Sequence, residues 1–107
     1  MIKDANIFIT GPNGGIGLET VKILSERKAK SIALACRTTE KALWTKQEVL
    51  KQQNTDTVLA PYGGFDMNNE VAIEKAVAKL PENTSYDIIF LQAGGMVVAD
   101  DFQFITT

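Results

Sequence analysis

The chain has 107 residues, with 11 Lys+Arg against 13 Asp+Glu, 45% hydrophobic and 22% charged residues, one cysteine and no histidine. That composition suits a single domain folded around one core, and its balanced charge offers no basic surface for sequence-independent nucleic-acid binding. Without histidine the chain cannot build a Ser-His-Asp or Cys-His pair or a histidine-bearing metal site from its own residues, and the lone Cys36 excludes an internal disulfide.

Residues 5–10 contain Ile7, Phe8 and Ile9 in succession, an apolar run suited to a strand buried on both faces, and a glycine cluster follows directly. From Ile16 onward, Leu18, Val21 and Leu24 recur at helical spacing, while Glu19, Lys22, Glu26 and Arg27 fill the other face. Residues 31–36 form a second apolar run of strand length. Thr38 and Thr39 then offer a hydroxyl N-cap for a second helix reaching about Gln53. Residues 57–62 predict a third strand, but Pro61 cannot donate a ladder hydrogen bond, so this strand belongs at a sheet edge or ends near Ala60.

After Gly63 and Gly64, Asn68 or Asn69 can cap a third helix whose Ile73, Ala76, Val77 and Leu80 share a face up to Pro81. Residues 88–91 are the most apolar run and predict a central fourth strand, with residues 100–107 trailing beyond it. Strands alternating with helices imply an α/β fold, and right-handed crossovers give strand order 3-2-1-4. This is the N-terminal half of a Rossmann-type doubly wound parallel sheet.

The first strand-helix junction reads Thr10-Gly11-Pro12-Asn13-Gly14-Gly15-Ile16-Gly17. Glycine allows a tight turn and a close backbone approach, so N–H groups and the helix dipole can meet phosphate oxygens there. A Walker A loop would end in Gly-Lys-Ser/Thr, yet no lysine occurs after the loop before Lys22. The GxGxxG spacing fails as well. The segment does match TGxxxGxG through Thr10, Gly11, Gly15 and Gly17, and it resembles the cofactor loop of the short-chain dehydrogenase/reductase family. Gly14 also satisfies the TGxxGxxG spacing of that family's extended and atypical branches, so the loop does not choose the branch.

The resemblance implies a nicotinamide dinucleotide held by Thr10, Gly11, Asn13, Gly15, Ile16 and Gly17. About twenty residues past the loop a dinucleotide fold reads the adenosine ribose, and a carboxylate there would favour NAD. This chain has Cys36 followed by Arg37, whose guanidinium suits a 2′-phosphate, so NADP is the expected cofactor in preference to NAD. An arginine that merely ends the strand is the alternative. Asp66, in Phe65-Asp66-Met67, matches the family's acidic adenine contact, with the backbone of Met67 beside the ring; a charge favoured by the third helix's dipole is the other reading. Ala93 and Gly94 match the end of the family's Asn-Asn-Ala-Gly strand and would lie beside the cofactor ribose, although Leu91 and Gln92 replace the two asparagines.

The family's catalytic Tyr-x-x-x-Lys is missing, because Asp66 follows Tyr62 by four residues and Phe90 follows Tyr86. No catalytic or metal-binding residue is assigned. The leading expectation is that residues 1–107 are the NAD(P)-binding portion of a longer NADP-dependent reductase, passing hydride between the nicotinamide and a small-molecule carbonyl or alcohol substrate. Strand four would otherwise be an apolar edge. A non-catalytic NAD(P)-binding or sensor module is one alternative, and an interaction domain completing its sheet by dimerisation is another. The resemblance implies a homo-oligomer in the intact protein. With no charged-then-apolar leader and no apolar run near ~18 residues, the sequence predicts a cytoplasmic location and no membrane partner.

Overall fold

A computed structural model describes residues 2–12, 14–66, 68–81, 85–91 and, by backbone, 95–98. The elements run β1 (Asn6–Thr10), α1 (Gly15–Glu26), β2 (Ser31–Ala35), α2 (Thr39–Gln52), β3 (Val58–Tyr62), α3 (Glu70–Ala78), β4 (Ile88–Leu91) and β5 (Gly95–Val98). They build one sheet in the order β3-β2-β1-β4-β5. The first four strands are parallel, with Ile7 opposite both Ile32 and Ile88. The predicted 3-2-1-4 sheet is therefore present, and β3 is its edge. Pro61 stays within β3 because a missing N–H costs nothing on the open side.

The sheet is covered on both faces, as a doubly wound fold requires. Ile7, Ile9, Ile32, Leu34 and Ile88 meet Val21 and Leu24 of α1 and Val49 of α2 on one face. On the other, Phe8, Ala33, Ala35 and Ile89 meet Ala76 of α3 together with Phe65 and Tyr86. Phe8 is fully buried and packs edge-on against Phe65 and Tyr86, with ring centroids 5.4 Å and 5.3 Å away. Burying a side chain of this size contributes about 1.5–3 kcal/mol relative to exposure.

β4 lies between β1 and β5, the central position its apolar run predicts; β5, which the sequence reading did not foresee, pairs with it antiparallel, from Ile88 opposite Val98 to Leu91 opposite Gly95, and covers the edge it would otherwise present. Only three residues separate the two strands, a hairpin-length link, and the Met-Val-Val run that follows Gly95 suits an extended segment.

Candidate functional site

The carboxyl ends of β1, β2 and β3 share one rim of the sheet, and the loops that follow them carry most of the expected site residues. Thr10 is buried at the end of β1, opposite Ala35. Gly11 continues the ladder by donating its N–H to Ala35 O at 2.9 Å, then turns with φ +61°, a conformation that glycine adopts without strain. The chain next enters α1, whose N-cap is Gly14.

Among the described residues, the start of α1 has no side-chain partner. The Leu18 N–H donates to Gly14 O at 2.8 Å, so the N–H groups of Gly15, Ile16 and Gly17 precede the helical ladder and point out of the helix end. Among the described residues no side chain caps this terminus, and its first turn holds no acidic residue. The other two helices differ. Thr38 accepts from the Lys41 N–H at 3.2 Å and Asn69 from the Ala72 N–H at 3.1 Å, with Glu40 and Glu70 in the respective first turns.

A Cβ placed on Gly14 or Gly15 would touch nothing within 4 Å, so packing within the chain does not require either glycine. Ile16 is 82% exposed, far more than any core residue, while Gly17 is buried. Open amides, a positive dipole end, bare glycines and one exposed apolar side chain fit a ligand with an anionic group and an apolar portion.

The tip of β2 alternates inward and outward. Cys36 is buried, and desolvation pushes its thiol from the ordinary 9.0 up to about 11, only partly offset by a hydrogen bond with Thr45 and the charge of Lys41. Its side chain is part of the interior. Arg37, the next residue, turns out to solvent with its side chain 62% exposed. Lys41 is a further cation near this tip, and sequence reasoning gave it no role; its position in the first turn of the capped α2 was the available signal.

Past the end of β3, the strand-like pairing continues. Cys36 donates to Tyr62 O at 2.9 Å, Phe65 donates to Cys36 O at 3.0 Å, and Gly64 donates to Arg37 O at 3.0 Å. The Gly63-Gly64 pair has a packing reason: a Cβ on Gly63 would fall on the backbone nitrogen and hydroxyl of Thr39, and Gly64 has φ +87°. These bonds bring Asp66 beside Arg37, with Oδ1 4.0 Å from Nη2. Asp66 Oδ1 also accepts from the Asn68 N–H at 3.0 Å, and Asp66 O accepts from the Asn69 N–H at 2.9 Å. Because Asn69 caps α3 and Glu70 begins it, Asp66 stands ahead of the helix rather than in its first turn.

Asn13, Met67, Ala93 and Gly94, with Gln92, lie outside the described residues. Tyr86 is buried in the Phe8 cluster, and burial with the nearby Tyr62 pushes its hydroxyl up to about 12. Tyr62, half-buried, ends β3. Both tyrosines belong to the interior packing. No group of three or more His, Cys, Asp or Glu that could hold a metal occurs among the described residues, and none of their helices is long and apolar enough to cross a membrane.

A mostly parallel sheet with helices on both faces, and beyond its first strand a glycine-lined helix start that no described side chain caps, defines a Rossmann-type dinucleotide-binding unit. A family model described as short chain dehydrogenase matches residues 5–106, and the chain belongs to this family, the short-chain dehydrogenases/reductases. It is 33% identical over 88 residues to the short chain dehydrogenase sol3 of Alternaria solani, covering 81% of this chain and 30% of that protein. It is 32% identical over 83 residues to the uncharacterized oxidoreductase YxnA of Bacillus subtilis (strain 168), covering 61% of this chain and 23% of that one. A solved structure of A-type ketoreductases from a modular polyketide synthase superposes with a TM-score of 0.52 at 25% identity, covering 80% of this chain and 18% of that chain. The chain thus spans less than a third of the length of these relatives. The family implies NAD(P) as cofactor, and the bare start of α1 fits its pyrophosphate.

Proposed function

We propose that residues 1–107 are the cofactor-binding portion of a longer NADP-dependent oxidoreductase of the short-chain dehydrogenase/reductase type, acting on a small-molecule carbonyl or alcohol. The observation that carries this reading is the uncapped, glycine-lined start of α1, the one helix among the three described whose first amides have no side-chain partner among the described residues. The amides of Gly15, Ile16 and Gly17 bind the pyrophosphate, Gly11 supplies the turn, and Thr10 and Asn13 flank it. Exposed Ile16 packs against the apolar part of the cofactor. Arg37 pairs with the 2′-phosphate, Asp66 accepts from the adenine amino group with the Met67 backbone beside the ring, and Ala93 and Gly94 line the ribose.

The bound nicotinamide supplies or accepts the hydride. Substrate binding and the acid-base step fall to residues outside these 107, since neither Tyr62 nor Tyr86 has a lysine four residues on. A homo-oligomer and a cytoplasmic setting complete the proposal; a reduced, buried Cys36 is compatible with the latter.

Titration calorimetry of the full-length protein with NADPH and NADH tests it. Tighter binding of NADPH, with Arg37→Asp weakening NADPH more than NADH, is expected. Equal loss of both cofactors would remove the phosphate role of Arg37, and no binding of either would sink the cofactor reading. A Tyr-x-x-x-Lys some 40–60 residues beyond Thr107 in the reading frame, as the family resemblance implies, supports catalysis; a complete gene without it leaves a non-catalytic NAD(P)-binding module.

A further inference from the structure

We infer that Asp66 competes with the cofactor for Arg37 and so sets how strongly the site prefers a 2′-phosphorylated dinucleotide. The inference rests on the cofactor reading above. The two groups are paired at 4.0 Å, and they are not equally free to move. The Asp66 carboxylate is tied into the turn before α3 by the Asn68 N–H, and its carbonyl by the Asn69 N–H. Apart from that ion pair, among the described residues Arg37 is anchored by its backbone, which accepts from Gly64, while its guanidinium is mostly in solvent. The fixed partner is therefore the anion and the adaptable one the cation. An exposed pair of this kind is weak, so a dianionic phosphate can take the guanidinium over.

Two consequences follow from the charges alone. Every Arg37 conformer bound to Asp66 is one withdrawn from the phosphate, which lowers the apparent affinity by the fraction left free. Asp66 thus acts as a specificity-determining residue through Arg37, in addition to its contact with adenine. NADH, without a 2′-phosphate, does not need the guanidinium and is spared this competition.

The test is the ratio of NADH to NADPH dissociation constants in the full-length protein, measured for wild type, Asp66→Asn, Arg37→Ala and the double variant. Asparagine keeps an oxygen to accept from the Asn68 N–H and from adenine, and it removes the charge. The ratio should move toward NADPH by about two- to fivefold in Asp66→Asn, and this response should vanish when Arg37 is alanine. An unchanged ratio, or one moved toward NADH, overturns the competition. A full response that persists without Arg37 also overturns it, because the carboxylate would then act on the phosphate directly. Failure of the underlying reading looks different: Arg37→Ala alone would leave the ratio where it was in wild type, and the competition would fall with it.

Discussion

At the amino end of the sheet the polar side chains are engaged with the chain itself. Asn6 donates its N–H to the Asp87 carboxylate at 2.8 Å, Asp87 returns its N–H to Asn6 O at 2.7 Å, and Ser31 Oγ donates to Asn6 Oδ1 at 2.7 Å. Thr57 Oγ1 donates to Ala29 O at 2.6 Å, and Ser25 and Thr55 share a hydroxyl contact between α1 and the turn after α2. The carboxyl end presents the first amides of α1, two glycines with open space around them, exposed Ile16 and exposed Arg37. Hydrogen-bonding capacity satisfied internally reads as stability. Capacity held open on a rigid frame reads as binding, on the side where open α/β sheets take their ligands.

Substitutions that change only one of the two properties break or sharpen that contrast. Gly15→Asp should have the largest effect. Its Cβ meets nothing, and a carboxylate at the start of α1 suits the dipole, so the melting temperature should hold or rise slightly. NADPH binding should fall more than a hundredfold, by calorimetry, because the new charge occupies the phosphate's place. Loss of both stability and binding would mean that Gly15 serves the fold.

Gly63→Ala is the opposite case on the same rim, since its Cβ collides with Thr39. It should destabilise by about 1–3 kcal/mol, as overpacking does, and lower the melting temperature by several degrees. Thr57→Val at the amino end leaves the buried Ala29 carbonyl without its donor and should cost about 1–2 kcal/mol in urea unfolding, with cofactor affinity unchanged.

The smallest effect at neutral pH concerns Cys36. Its folded thiol titrates near 11, above the ordinary 9.0, so the stability tied to the protonated form is complete below pH 9 and is lost as pH rises toward 11. Tyr86 extends that alkaline loss toward pH 12. Iodoacetamide at pH 8 should label Cys36 slowly in the folded protein and rapidly in urea; fast labelling of the folded form would contradict its burial.

The strand-helix alternation, the strand order and the glycine loop were legible in the sequence because local periodicity and glycine spacing encode them directly. Pro61, with no N–H to donate, pointed to an edge strand or a strand ending near Ala60, and the first of these is what the sheet shows. The β5 pairing was not legible, since a four-residue run carries little periodicity and strand pairing is a tertiary event. The Arg37-Asp66 contact was also hidden. Each residue was nominated separately, but twenty-nine positions separate them, and only the bonds joining Cys36 and Arg37 to residues 62–65 bring them together. The requirement for glycine at position 63 was not legible either, because its cause, the approach of Thr39, exists only in the packed fold.

The central claim is that the amides opening α1 receive the cofactor's phosphates, and amide NMR of the full-length protein with added NADPH tests it most directly. The resonances of Gly15, Ile16 and Gly17 should shift strongly, while those of Asn6, Ser31 and Asp87 at the other end of the sheet stay in place. Undisturbed loop amides at saturating NADPH, or shifts concentrated at the amino end, would contradict the account.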